Sequence, residues 1–291
     1  MFLLLILILL MSGCSLFGKK AEPTATPTPE ATETPTPEPT PTMPPSAAVV
    51  NGIPVTLEDL DAKTAQLRDA YSDLGEDVPG DDALREEALN DLIEETLFLS
   101  AARRSGTALS NEALDGKVES LCASAGGCDK LREWESRNHY NEESFRRALE
   151  RESAVSIMRE VILEGLKDME QLHVYRIQSS RRADLDDVNS RLGMGISFSE
   201  MAKNYDAVTG GDMNWFPRGV LFSEDIENKI FALNPGEHTE IIEINGSYNM
   251  FYVAEKQTGR AMDMQVEQIA QKKAIADWLE KERNSAEIIF L

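Results

Sequence analysis

Basic residues are scarce: 29 Lys and Arg stand against 51 Asp and Glu, a formal net charge of −22 over 291 residues. The few cations are not gathered into the patch that a phosphate-binding surface needs for counterion release, which argues against nucleic acid as a partner. Acidity of this degree favours solubility and repulsion from anionic lipid. Cysteine and histidine are equally thin, at three each, and no zinc motif, phosphate loop or nucleophile elbow is present. No metal or cofactor is therefore expected. The acidic clusters Asp184-Leu-Asp-Asp187 and Glu86-Glu87 fall on predicted helices and read as solvated surface, because calcium needs a defined loop of oxygen ligands. His139 and His238 have no evident partners in the sequence.

What is present begins with an apolar run, Phe2 to Leu10, followed by Met11-Ser-Gly-Cys14. The run is too short to cross a bilayer and has the length of a signal-peptide core. Small residues before a cysteine resemble a bacterial lipobox, which implies lipidation of Cys14 and anchoring to the outer face of a membrane. The alternative is a buried or uncleaved anchor helix. From Ala21 to Pro45 the chain is nearly all Pro, Thr, Glu and Ala. Such a stretch buries no apolar area and predicts a disordered, polyproline-like stalk at about 3.1 Å per residue.

Folding is expected from Ala47, leaving roughly 240 residues for packed structure. Ala47 to Thr56 predicts a short strand, a turn at Asn51-Gly52 and a helix start, with Thr56 and Asp59 spaced as in a capping box. Helices are predicted through Leu57, Leu60, Thr64, Leu67 and Tyr71, then from Asp82 to Arg104, Asn111 to Ala123, Asp129 to Arg137 and Asn141 to Lys167. The last of these has acids at its start and Lys167 at its end, matching the helix dipole. Between two of the helices, Cys122 and Cys128 read as a disulfide in an exported chain, as free buried thiols or, least of all, as a catalytic pair.

After Met169 the pattern turns to α+β: a strand at Leu172–Ile177, helices at Asp184–Leu192 and Phe198–Tyr205, and a Gly-punctuated loop from Gly210 to Gly219. A helix from Ser223 to Leu233 follows, then strands at Thr239–Ile244 and Tyr248–Glu255 around Asn245-Gly246. The chain ends in a helix from Asp263 to Asn284 and a strand from Ala286. The strand near Val49 is expected to pair with Ile288–Phe290, since both would otherwise keep open edges. Trp278 and Leu279 are expected on the Leu92 and Leu97 face.

The Phe198-Ser-Glu-Met-Ala202 helix, Gly210-Gly-Asp212, Trp215-Phe216, Arg218-Gly219 and Ile230-Phe-Ala-Leu-Asn-Pro-Gly-Glu237 together resemble a parvulin (PpiC-type, rotamase) domain over residues 172–257. With Val49-Val-Asn-Gly52 and the Trp278 helix at its flanks, the chain resembles the SurA/PrsA class of extracytoplasmic foldases. That resemblance implies an α+β fold: a helical chaperone-like domain built from both chain ends, with a parvulin domain inserted. The implied division is 1–14 signal peptide, 15–46 stalk, 47–169 N-terminal helical domain, 170–258 parvulin-like domain, and 259–291 completing the helical domain.

The resemblance also implies a proline pocket lined by Met213, Phe216, Leu221 and Ile226, with Phe216 facing a ligand. Met213 and Ile226 read equally well as plain core. The family's two histidines map to Arg176 and Asn249, so both are replaced, and its Cys or Asp maps to Asp206. Arg176 could pair with Asp206. Prolyl isomerisation needs only that the twisted amide be favoured in an apolar pocket, so pocket and polar set can be judged separately. Three readings remain: a foldase binding unfolded or newly exported, proline-containing polypeptide with weak or lost isomerase activity; an active isomerase with a modified polar set; and a structural or adaptor lipoprotein.

Overall fold

A computed structural model describes residues 43–221 and 223–291; Cys14 and the stalk up to Thr42 lie outside the described residues. Strand β1 (Ser46–Val50) and strand β2 (Ile53–Thr56) form a hairpin across Asn51-Gly52, both of which have positive φ. Two strands thus stand where one was expected, because Asn-Gly closes a two-residue turn whose twist suits a hairpin. Helix α1 (Leu57–Leu74) starts on Thr56, whose hydroxyl accepts the Asp59 N–H at 3.0 Å. Helix α2 (Asp81–Ser105) follows. Its Ala88, Leu92, Ile93 and Leu97 pack with Leu60 against Ala48, Val50 and Val55 of the hairpin.

Helix α3 (Asn111–Ala125) and helix α4 (Cys128–Arg137) are joined by a Cys122–Cys128 disulfide, with Cα atoms 4.4 Å apart. Cutting so short a loop by Cys122→Ala with Cys128→Ala should cost about 2 kcal/mol in the chain-entropy picture. Urea unfolding should show that drop with the fold kept, since Leu131 and Phe145 still pack with Tyr140. Helix α5 (Glu142–Glu164) opens on a reciprocal Asn141–Ser144 capping box. It ends before Lys167, which therefore lies outside the last turn and pairs with Glu164 instead.

Buried charge ties α1, α2 and α5 together. Asp59, 3% exposed, accepts from Arg147 Nε at 3.1 Å and from Arg151 Nη1 at 3.0 Å. Arg151 also reaches Glu95 at 3.2 Å, and Lys63 meets the same carboxylate at 2.9 Å.

The middle of the chain builds a four-stranded antiparallel sheet ordered β4-β3-β6-β5. Its strands are β3 (Glu170–Ser179), β4 (Asp212–Pro217), β5 (Ile242–Ile244) and β6 (Ser247–Thr258). The stretch expected to be loop from Gly210 to Gly219 is thus largely strand, with Leu172 opposite Phe216 and His173 opposite Trp215. Thr239 falls short of β5 yet still exchanges hydrogen bonds with Phe251, its N–H donating at 2.8 Å. Helices α6 (Arg182–Gly193) and α7 (Phe198–Tyr205) cover one sheet face through Leu185, Val188, Phe198 and Met201 on Ile177 and Met250. Helix α8 (Glu224–Phe231) covers the other, with Ile230 and Phe231 on Leu172, Val174, Phe251 and Val253.

Helix α9 (Met264–Ser285) returns to the helical part, and strand β7 (Ile288–Phe290) pairs with β1, Val49 opposite Ile289. The two ends of the folded region are tied as expected. Trp278 and Leu279, however, pack with Phe98, Ala102, Ala154 and Met158, and Trp278 stacks on Phe98 at 4.5 Å. The Leu92 and Leu97 face is already filled by the hairpin, and Phe98 is turned about 100° from Leu97 around α2.

Candidate peptide-binding site

The site forms where β4 comes against β3. Gly211, at φ +74°, precedes β4, and its carbonyl accepts the Arg176 N–H at 2.7 Å. A Cβ at Gly211 would lie 2.3 Å from the Arg176 carbonyl oxygen and 2.9 Å from the Ala202 Cβ. The Gly-Gly-Asp turn is therefore a steric requirement of this approach.

Met213, Leu221 and Ile226 are half-buried at the edge of the α8-side core. Phe216 is not a ligand-facing wall: it is 2% exposed and meets Phe231 edge-on, with centroids 6.2 Å apart. Strand alternation turns it inward. The segment that carries Leu221 is held by Glu227, which no sequence motif singles out. Its carboxylate, 5% exposed, accepts the Gly219 N–H at 2.9 Å and those of Val220 and Leu221 at 3.2 Å. The signal was an acid beside Ile226 on the same helix as the buried Ile230. Glu227→Ala leaves three N–H groups without their acceptor and should cost about 1–3 kcal/mol. Glu227→Gln should be intermediate, as read by calorimetry and thermal melts.

Arg176 is exposed, and its guanidinium has no ion pair or side-chain hydrogen bond among the described residues. Its proposed partner Asp206 is turned to its own loop, accepting the Val208 N–H at 2.9 Å, the Thr209 N–H at 3.1 Å and the Thr209 hydroxyl. Those donors, the hydroxyl first, hold the Asp206 carboxyl below the usual carboxylate range. The Arg176–Asp206 pair is thus not made, because local donors satisfy the acid. Asn249 is 2% exposed and its amide donates to the Ser247 carbonyl at 3.0 Å. Arg176 lies opposite Phe251 and Asn249 opposite Gln178, so both point to the α8 side of the sheet, two residues apart in register. A cavity of about 490 Å³ gathers Arg176, Tyr205, Asp206, Thr209 and Met213. Leu221 instead lines a cleft of about 950 Å³ between α8 and α9.

The histidines serve structure. His173 Nε2 bonds Asp212 Oδ1 at 2.9 Å and its ring stacks on Trp215, which Arg260 approaches at 4.5 Å. The other two do have partners, contrary to expectation: His139 meets Asp69 at 2.7 Å and His238 Nδ1 meets the Thr239 carbonyl at 2.9 Å. Among the described residues, no group of three or more His, Cys, Asp or Glu is arranged to hold a metal ion.

Residues 2–159 match the family described as SurA-like N-terminal domain, and residues 162–255 match the PPIC-type PPIASE domain. Chaperone SurA of Pseudomonas putida is 24% identical over 248 residues, covering 73% of this chain and 58% of that protein. The chain therefore spans 58% of that relative's length. Among solved structures, the peptidylprolyl isomerase PrsA from Bacillus anthracis matches at 16% identity and TM-score 0.37, over 68% of this chain and 94% of that one. A structure described for PEB4 and the periplasmic protein Cj1289, SurA-like chaperones of Campylobacter jejuni, matches at 15% identity and TM-score 0.30, over 84% and 98%. The SurA-like model alone spans more than half of the sequence, and a rotamase-type module follows it: this chain belongs to the SurA-like family.

Proposed function

We propose that the protein is an extracytoplasmic folding factor that binds unfolded, proline-containing polypeptide, with isomerase activity weak or lost. The observation that carries this reading is the contrast within one module. The apolar side chains Met213, Leu221 and Ile226 remain half-open at its surface, while the positions of the family's two histidines hold an exposed Arg176 and a buried, engaged Asn249. A permanently charged guanidinium cannot take the place of a neutral imidazole, and an amide committed to Ser247 is not free to turn to a substrate. What remains can hold a proline ring without easing its rotation.

In this reading residues 47–169 and 259–291 form the chaperone-like domain and residues 170–258 the inserted module. Cys14 carries the lipid that keeps the protein on the outer face of a bacterial membrane, with residues 15–46 as the spacer. Among the described residues no helix is long and apolar enough to cross a membrane. The test is suppression of aggregation of several unrelated denatured proteins by the full chain. Suppression of all of them supports the proposal. Binding of a single native partner, with no effect on denatured chains, replaces it with an adaptor role.

A further inference from the structure

Resting on the folding-factor reading, we propose that Arg176 makes the cavity beside the Gly-Gly-Asp turn a carboxylate-recognition site, so that the module selects extended segments carrying an Asp or Glu side chain next to a proline. The cavity measures about 490 Å³, within the range of small-ligand sites. Among the described residues that line it, Arg176 is the one cation. The two acids in the same lining are committed elsewhere. Asp206 accepts from the Val208 and Thr209 N–H groups and the Thr209 hydroxyl, while Asp212 accepts the Asn214 N–H at 2.7 Å and meets His173 at 2.9 Å. The guanidinium is exposed and has no carboxylate of its own chain among the described residues.

Strand alternation brings further donors to the same side. Arg176 and Gln178 are alternate residues of β3, and Ser247 lies two residues before Asn249 on β6, so all three side chains point to the α8 side of the sheet. Gln178 and Ser247 also line the cavity, and neither side chain has a hydrogen-bond partner among the described residues. Met213, half-buried, and Tyr205, 37% exposed, supply its apolar surface. A planar guanidinium takes a carboxylate through two parallel N–H groups, and a neighbouring amide or hydroxyl can donate a third bond. Met213 leaves apolar area for the pyrrolidine ring beside it. A basic side chain would meet donors and a like charge.

This selection runs against the charge of the whole molecule. At a net charge of −22 the protein repels acidic peptides and attracts basic ones at long range. A preference for acid therefore requires a local cation, which gives the test a sign that non-specific attraction cannot imitate.

The test uses the full chain and three peptides, Ala-Xaa-Pro-Phe with Xaa as Glu, Gln or Lys, labelled at the N-terminus, amidated at the C-terminus and read by fluorescence anisotropy. The Glu peptide should bind at least about threefold more tightly than the Gln peptide, the scale of one exposed ion pair, with the Lys peptide weakest. Arg176→Gln removes a side chain that has no partner to lose, so its thermal melt should match that of the natural chain while the Glu and Gln peptides bind it equally. Arg176→Glu should put the Lys peptide first. A Glu preference that survives Arg176→Gln places the acid elsewhere and overturns the proposal. Equal affinities of the natural chain for the Glu and Gln peptides, or a preference for Lys, overturn it as well. If no peptide binds, this inference falls, and the folding-factor reading falls with it only if denatured proteins also go unprotected from aggregation.

Discussion

Gly211→Ala should unfold or severely loosen the central module, lowering stability by about 3 kcal/mol or more. Two costs combine. The new Cβ would stand 2.3 Å from a backbone carbonyl oxygen, that of Arg176, and 2.9 Å from the Cβ of Ala202. Neither obstacle is the far end of a flexible side chain, so β3, α7 or the turn must move. The residue also sits at φ +74°, where an L side chain adds about 1–2 kcal/mol. The control is Gly246→Ala in the β5–β6 turn, at φ +77° with nothing within 4 Å of the added atom. It should show the backbone cost alone. Urea unfolding of the two variants separates them: a midpoint shift for Gly211→Ala no larger than for Gly246→Ala would mean that the close approach of β4 to β3 is not required.

Asp59→Ala should be among the most damaging single changes in the helical domain, costing about 3–5 kcal/mol. Its carboxylate stands between Arg147 and Arg151, and the Arg151 side chain is 8% exposed. Removing the acid leaves two guanidinium groups facing each other, one of them nearly shut off from water. Glu95 compensates in part through Arg151, and Glu58 through Arg147 at 2.6 Å. Neither can reach both arginines. For a domain of this size the loss corresponds to a drop in Tm of roughly 10 °C, measurable by calorimetry. Combining Asp59→Leu with Arg151→Met should recover much of it, since replacing a buried pair with apolar groups is often nearly neutral. A double variant no better than the single one would show that the network does more than satisfy its own charges.

Much of this architecture was legible in the sequence for identifiable reasons. Phe198–Tyr205 reads as a helix and is one, because its apolar residues recur at helical spacing. The pairing of Val49 with Ile289 follows from two short apolar strands at opposite chain ends that would otherwise keep bare edges. What escaped depends on partners distant in sequence. Strand β4 reads as loop because Gly210, Gly211 and Gly219 flank it and Pro217 ends it, and only its register with Leu172 and His173 makes it a strand. The inward direction of Phe216 rests on the same register, which only the pairing with Leu172 supplies. The face of α2 that receives Trp278 is set by the hairpin, which fills the Leu92 and Leu97 side and which nothing local to Trp278 shows.

At the site, the motif positions of Arg176, Asp206 and Asn249 could be assigned, but not their commitments. Val208 and Thr209 supply donors two and three residues beyond Asp206 and claim its carboxylate before Arg176 can. Glu227 escaped because its acceptors' partners are backbone N–H groups, which every residue type but proline carries.

In the proposed function the module keeps its apolar pocket and gives up its catalytic centre. A protease-coupled assay of cis-to-trans conversion in a short prolyl peptide tests it most directly, run on the full chain and on an Arg176→His, Asn249→His double variant. Acceleration close to background is expected for the natural chain, with a clear gain on restoring both imidazoles. Natural-chain turnover matching a parvulin with both histidines, and lost on Leu221→Glu, would contradict it.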